Sequence, residues 1–282
     1  MTLRQVLREI EGRLLSIGSL DARIEAEVLI MKSLQMDRSE LYRDLEEPID
    51  NDTLRRVGRL TERREFGEPL AYIVGDREFY GLRICVGEGV LIPRPETETL
   101  VDEVVRLSRC LSNPQMRILD MGTGSGAIAI ALALELPFST VTAIEISRDA
   151  AKIAKENVEN HGVDNRVSII QGNLLESVKG QFDMIVSNPP YVPRSELDFL
   201  PKEVLKEPLI ALDGGSGGLD VIRALLKQSV GRLKKKGAVL FEIDPFQTEG
   251  AEGIAKHFFP YSTISVIPDL MGNNRAICVR MV

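Results

Sequence analysis

At 282 residues the chain exceeds the usual size of a single hydrophobic core, and its 44% hydrophobic and 27% charged residues are those of a globular chain, so two domains are the expectation. The formal charge of −7 argues against a broad phosphate-binding surface and therefore against a nucleic acid as the main ligand. Two local basic clusters qualify this: Arg55, Arg56, Arg59, Arg63 and Arg64, which offer a docking point for an acidic partner, and Lys234 to Lys236.

The first third reads as helices. Thr2 and Gln5 match a capping box, and Leu3, Val6, Leu7, Ile10 and Leu14 recur on one helical face. A second helix is expected over Asp21 to Leu34. A third is expected over Asp52 to Arg64, with Leu54, Val57 and Leu60 on its apolar side. Arg77 to Tyr80, Gly81 and Leu82 to Val86 read as strand, turn and strand. A helix over Glu96 to Leu111 then opens a segment in which the two patterns alternate. Strands are expected at Arg117 to Leu119, Val141 to Ile146, Val167 to Gln171, Phe182 to Val186 and Ala238 to Ile243. Helices are expected at Ala127 to Leu136, Asp149 to His161 and Asp220 to Leu233. Such alternation predicts an α/β fold with a mostly parallel sheet, whose ligands bind beyond the carboxyl ends of the strands. The domain boundaries expected are residues 1–72 for a helical bundle, 73–92 for a hairpin linker and 93–282 for the α/β domain.

Asp120-Met121-Gly122-Thr123-Gly124-Ser125-Gly126 follows a strand and precedes a helix, the order a nucleotide site requires. Glu145, at the end of the next strand, is placed to accept hydrogen bonds from both hydroxyls of a ribose. Gly122, Gly124 and Ala127 also fit a dinucleotide spacing, so the glycines alone do not separate a nicotinamide from S-adenosylmethionine. Asp120 and the later turn Asn188-Pro189-Pro190-Tyr191 favour S-adenosylmethionine. That turn suits methyl transfer to a planar, weakly nucleophilic nitrogen. The Asn188 oxygen and the Pro189 carbonyl can accept both protons of an amide NH2, two prolines stiffen the backbone, and Tyr191 can wall the planar group. Asp120, Glu145, Asn173 and Asn188, from four strand ends, are expected to converge on one crevice. Gly214 to Gly218 reads as a flexible connector.

These motifs resemble the HemK/PrmC-type protein-(glutamine-N5) methyltransferases over nearly the whole chain. The resemblance rests on Ile92-Pro93-Arg94-Pro95-Glu96-Thr97-Glu98, the glycine loop, Asn188 to Tyr191, Glu207-Pro208 with Ala211-Leu212, and Glu242-Ile243 with Gln247. It implies a class I, Rossmann-like methyltransferase domain, and methylation of the glutamine in the Gly-Gly-Gln loop of a peptide chain release factor, the N-terminal bundle recognising that partner. It assigns catalysis to Asn188, Pro189, Pro190 and Tyr191. S-adenosylmethionine binding falls to Asp120, Gly122, Thr123, Gly124, Ser125, Gly126, Glu145, Asn173, Leu174 and Asn188, with no metal. Three positions depart from the family's usual residues: Glu145 and Asn173 stand where an aspartate is common, and Asp244 where a glycine is usual. Alternatives are glutamine methylation of a ribosomal protein, amino methylation of a nucleic acid base, and a nucleotide-sensing module without turnover.

Cys85, Cys110 and Cys278 have neither metal-like spacing nor an even count, which fits a reducing cytoplasm. His161 and His257 fall near expected helix ends, where a cation is favourable, and no catalytic or metal role is assigned to them. Arg4, Arg8, Glu9 and Glu11 interrupt any secretory core, and the longest apolar run, Ala127 to Leu134, is too short to cross a bilayer. A soluble, cytoplasmic, unprocessed protein is therefore expected.

Overall fold

The computed structural model describes residues 1–110 and 114–282, which divide into two compact units: 1–76 with 201–206, and 77–200 with 207–282. The first unit is helical: α1 (Leu3–Ser16), α2 (Ala22–Leu34), α3 (Arg38–Arg43), α4 (Asn51–Glu65) and α5 (Leu70–Val74). The Thr2 and Gln5 capping box forms, and the five apolar residues expected on one face of α1 are its buried residues. In α4 the deepest positions are Thr53, Val57 and Thr61, with Leu54 and Leu60 only partly buried. Both threonines can be buried because their hydroxyls are satisfied locally, Thr53 donating to Asp50 Oδ2 at 2.7 Å and Thr61 to the Val57 carbonyl at 2.9 Å. The expected basic cluster is largely consumed within this unit. Arg64 pairs with Glu25 and Glu203 at 2.8 Å, Arg63 with Glu68 at 2.5 Å, and Arg55 with Asp52.

The second unit, from Arg77, takes in nearly all of the hairpin β1 (Asp76–Phe79) and β2 (Leu82–Cys85). Tyr80 and Gly81 at its turn both have positive φ, +54° and +69°, the twist that a two-residue hairpin turn demands. Next come α6 (Glu98–Ser108), β3 (Arg117–Met121), α7 (Ala127–Glu135), β4 (Thr140–Glu145), α8 (Arg148–Asn160), β5 (Val167–Gln171) and β6 (Phe182–Ser187). The unit closes with α9 (Asp220–Ser229), β7 (Leu233–Glu242), α10 (Thr248–Phe258), β8 (Thr263–Pro268) and β9 (Asn274–Arg280). The helix expected from Glu96 starts two residues later, after a 3-10 turn at Pro95–Thr97, and its expected end at Leu111 lies outside the described residues.

Seven strands form one sheet in the order β5-β4-β3-β6-β7-β9-β8, parallel except at β9. The mostly parallel sheet expected from the alternation is thus present, extended by an antiparallel edge that the sequence reading did not resolve. β6 is buried along its whole length, Asp183 and Ser187 included, and α7 is buried from Ala127 to Ala133, which explains why Met184 to Val186 and the α7 stretch read as continuous apolar runs rather than alternating patterns. Strand order reverses beside β3, so the carboxyl ends of β3, β4 and β6 open onto the crevice where such sheets bind ligands. No helix among the described residues is long and apolar enough to cross a membrane.

Candidate active site

A cavity of about 310 Å³ lies at those strand ends. Its floor is the turn between β3 and α7, where Gly122, Gly124 and Gly126 adopt φ of +69°, +57° and +85°, a region an L-residue enters only with strain. Gly122, Thr123, Gly124 and Ser125 line the cavity, whereas Gly126 caps α7 behind it. Glu145 lines the next wall. Its Oε2 accepts the Gly124 N–H at 2.9 Å and its Oε1 the Ser147 N–H at 2.8 Å, so the end of β4 clamps the glycine turn. Each carboxylate oxygen keeps a further lone pair for a ligand. The third wall carries Asn173 and Leu174. Leu174 has φ +47°, an uncommon conformation for a leucine, and Asn173 Nδ2 donates to Glu176 at 3.1 Å across the same turn.

Asp120 does not reach the crevice. β3 continues through it to Met121, so Asp120 lies inside the strand, fully buried, with Oδ2 accepting the Thr123 hydroxyl at 2.6 Å. Burial raises its pKa to about 7. The convergence of four polar groups expected from the sequence is therefore one of three, Glu145, Asn173 and Asn188, with Asp120 supporting the turn from beneath.

Asn188 and Pro190 line the cavity, while Pro189 is buried. Tyr191 does not line the cavity. Its ring packs against the hydrophobic core, its hydroxyl donates to Glu242 Oε1 at 3.1 Å, and burial beside that carboxyl raises its pKa well above the ordinary phenol range. Asn188 Nδ2 donates to Thr97 Oγ1 at 3.0 Å, and the Thr97 hydroxyl donates to Glu242 Oε2 at 2.6 Å. Glu242, at the end of β7, is almost fully buried, and burial lifts its pKa to about 7.

The remaining motifs hold these walls together. Glu207 accepts the Ile92 N–H at 2.9 Å and pairs with the Arg94 guanidinium, joining the Ile92 to Arg94 segment to the segment that brings Pro208, Ile210 and Ala211 to the cavity. Asp244, unexplained from sequence, caps a 3-10 turn: its Oδ1 accepts the Phe246 N–H at 3.0 Å and its own N–H donates to Gln247 Oε1 at 3.2 Å. Gly214 to Gly218 is not a free connector. A Cβ on Gly218 would sit 2.1 Å from the Tyr191 carbonyl oxygen, and one on Gly214 would sit 2.7 Å from Tyr191 Cα. Asp220, Val221 and Ala224 also line the cavity from the first turns of α9, at positions that no sequence motif marked.

The donor set suits an adenosine-bearing ligand: free-edged carboxylate oxygens on Glu145, backbone groups of a glycine turn at a helix N-terminus, and apolar walls from Ile128, Ile144 and Leu174. Two comparisons with known families agree with this geometry. The Methyltransferase small domain matches residues 101–264 and the PrmC N-terminal domain matches residues 5–75. A release factor glutamine methyltransferase from Moorella thermoacetica is 40% identical over 277 residues, 98% of this chain and 97% of that protein. The chain belongs to the release factor glutamine methyltransferase family. A second member, from Rhodopirellula baltica, is 40% identical over 93% of this chain and 90% of its own. The hMettl16 catalytic domain in complex with MAT2A 3'UTR hairpin 6 shares the fold alone, with a TM-score of 0.59 and 17% identity over 79% of this chain and 82% of that one.

Proposed function

We propose that this family member methylates the side-chain amide nitrogen of the glutamine in the Gly-Gly-Gln loop of a peptide chain release factor, using S-adenosylmethionine. The observation that carries the reading is the orientation of Asn188. Its Nδ2 is committed to Thr97, so its Oδ1 is the atom left to accept a proton from a substrate amide at the cavity that Asn188 lines. The release factor as partner is supported by relatives spanning nearly the whole chain that are release factor glutamine methyltransferases.

S-adenosylmethionine fits the residues present, held by the glycine turn Gly122 to Gly126 with Thr123 and Ser125, by Glu145, and by Asn173 and Leu174, with Asp120 bracing the turn. When bound, it would supply an electrophilic sulfonium methyl group with a neutral thioether as leaving group. The amide nitrogen is a poor nucleophile because its lone pair is delocalised into the carbonyl. Asn188 Oδ1 and the Pro189 carbonyl accept its two protons, which increases electron density on nitrogen and fixes its direction of approach. Pro189 and Pro190 keep that pair of acceptors rigid, and Tyr191 anchors the turn through Glu242. Neither acceptor is a base at neutral pH, so the departing proton passes to water. Placement supplies most of the acceleration, for which effective concentration is worth roughly 7–11 kcal/mol.

The test is incubation of the protein with labelled S-adenosylmethionine and intact candidate proteins, release factors and ribosomal proteins among them, followed by mass-spectrometric location of the methyl group. Label on the Gly-Gly-Gln glutamine is the expected result. Label on another protein, or on a nucleic acid base in a parallel incubation, would replace this substrate assignment.

A further inference from the structure

We infer that Thr97 and Glu242 are positioning residues that decide which edge of the Asn188 carboxamide faces the substrate. The inference rests on the reading of Asn188 as a proton acceptor given above. The geometry is a chain of three side chains from three separate segments. Glu242 ends β7, Thr97 closes the 3-10 turn before α6, and Asn188 follows β6. Both carboxylate oxygens of Glu242 are engaged, Oε1 by the Tyr191 hydroxyl at 3.1 Å and Oε2 by the Thr97 hydroxyl at 2.6 Å.

A threonine hydroxyl has one proton, and here it is committed to Glu242. The Thr97 oxygen can therefore only accept from its other neighbour, which requires the nitrogen edge of Asn188, found at 3.0 Å. The oxygen edge is left for the substrate. Were the Glu242 carboxyl neutral, its own proton could face Thr97 and release the Thr97 hydroxyl to donate to Asn188. The carboxamide would then be free to turn, presenting a donor to an NH2 group that needs an acceptor.

The groups facing Glu242 bias this choice. Arg275 on β9 favours the charged form, as do the Thr97 and Tyr191 hydroxyls, whereas Glu96 opposes it and burial opposes it most. Asp244, next on the same loop, acts on Tyr191 in the direction that keeps the phenol protonated and donating. With the Glu242 pKa lifted to about 7, the ionisation falls where it can be followed in solution.

The experiment compares Thr97→Val, Thr97→Ser, Glu242→Gln and Asn188→Ala, each as the full chain, with labelled S-adenosylmethionine and intact release factor. Glutamine in place of Glu242 can donate its amide to Thr97, which is the arrangement of the neutral carboxyl. Expected are a kcat about 10–100-fold lower for Thr97→Val and Glu242→Gln, S-adenosylhomocysteine affinity within about twofold of wild type, and recovery of most of kcat in Thr97→Ser. Wild-type kcat should rise with pH as Glu242 ionises, and Glu242→Gln should lack that limb.

Near-normal kcat in Thr97→Val beside a crippled Asn188→Ala would overturn the positioning role and leave the acceptor reading standing. Near-normal kcat in Asn188→Ala would remove the reading itself and the inference with it. Should Thr97→Val fail to fold, the pH profile of Glu242→Gln decides: an unchanged limb overturns the inference, and a lost limb with intact S-adenosylhomocysteine binding supports it.

Discussion

Gln247 donates its side-chain amide to the backbone carbonyl of Tyr191 at 2.7 Å, so the start of α10 holds the last residue of the Asn188 to Tyr191 turn. The same nitrogen reaches the Gly217 carbonyl at 3.3 Å, and Gln247 Oε1 takes the Asp244 N–H. One glutamine thus joins three loops. Replacing Gln247 with leucine keeps its bulk and strands these partners, a loss of about 1–3 kcal/mol in stability for a buried unpaired polar group. Urea denaturation of Gln247→Leu measures it; an unchanged midpoint would show that the glutamine is not bracing the turn.

Gly218 and Gly217 separate close approach from backbone conformation. Both have positive φ, +74° and +71°, but only a Cβ on Gly218 meets the Tyr191 carbonyl, while Gly217 has nothing within 4 Å. Gly217→Ala should lose about 1 kcal/mol through conformation alone, and Gly218→Ala clearly more, with a fall in turnover because Tyr191 must move. Equal melting temperatures and equal kcat for the two variants would count against this distinction.

Glu145 should control ligand affinity. It closes the glycine turn through Gly124 and Ser147 and presents its remaining lone pairs to the cavity. Charge-assisted hydrogen bonds are worth about 1.5–3 kcal/mol, so Glu145→Ala is expected to weaken S-adenosylhomocysteine binding by roughly 10–100-fold in calorimetric titration. Glu145→Asp, one methylene shorter, should bind more tightly than the alanine variant. Parity between the two would place the affinity elsewhere.

Asn188→Ala should lower kcat on the order of 10²–10³-fold while S-adenosylhomocysteine binding largely survives, by analogy with loss of one positioned hydrogen-bonding group. Single-turnover measurement with bound cofactor tests this directly. A variant with normal turnover would show that a different group receives the amide proton.

Stability and pH should move in opposite senses for the two buried carboxyls. Burial lifts Asp120 and Glu242 to about 7, above the ordinary carboxylate range. A raised folded-state pKa contributes stability that is complete below the unfolded-state value of roughly 4 and is lost as pH climbs through about 7. The urea midpoint should therefore fall between about pH 4 and pH 7, and Asp120→Asn should flatten part of that slope. A variant with the wild-type slope would mean that Asp120 is not the group titrating.

Much of this arrangement is legible in the sequence. The strand, glycine turn and helix around Gly122, and the apolar strand before Asn188, carry patterns that backbone geometry enforces, and the structure places them where expected. Less visible was the reach of β3 through Asp120, because a single buried carboxylate reads from sequence like a strand end. The threonines of α4 hide for a related reason: their burial depends on hydroxyls satisfied within their own turn, which hydrophobic periodicity does not register. Pairings distant along the chain, such as Glu207 with Ile92 and Thr97 with Glu242, follow from topology, and the motif residues gave no sign of which would meet.

Asn157 of α8 sets a limit on how far the catalytic unit can be trimmed. Its side chain takes the Cys85 N–H at 2.8 Å and donates to the carbonyls of Cys85 and Ser125, both at 2.9 Å, while being wholly buried. One amide therefore splices the hairpin to the nucleotide turn. A fragment starting after β2 would leave that amide half-satisfied in the interior and slacken the turn it reaches, whereas one starting before Asp76 keeps the splice whole.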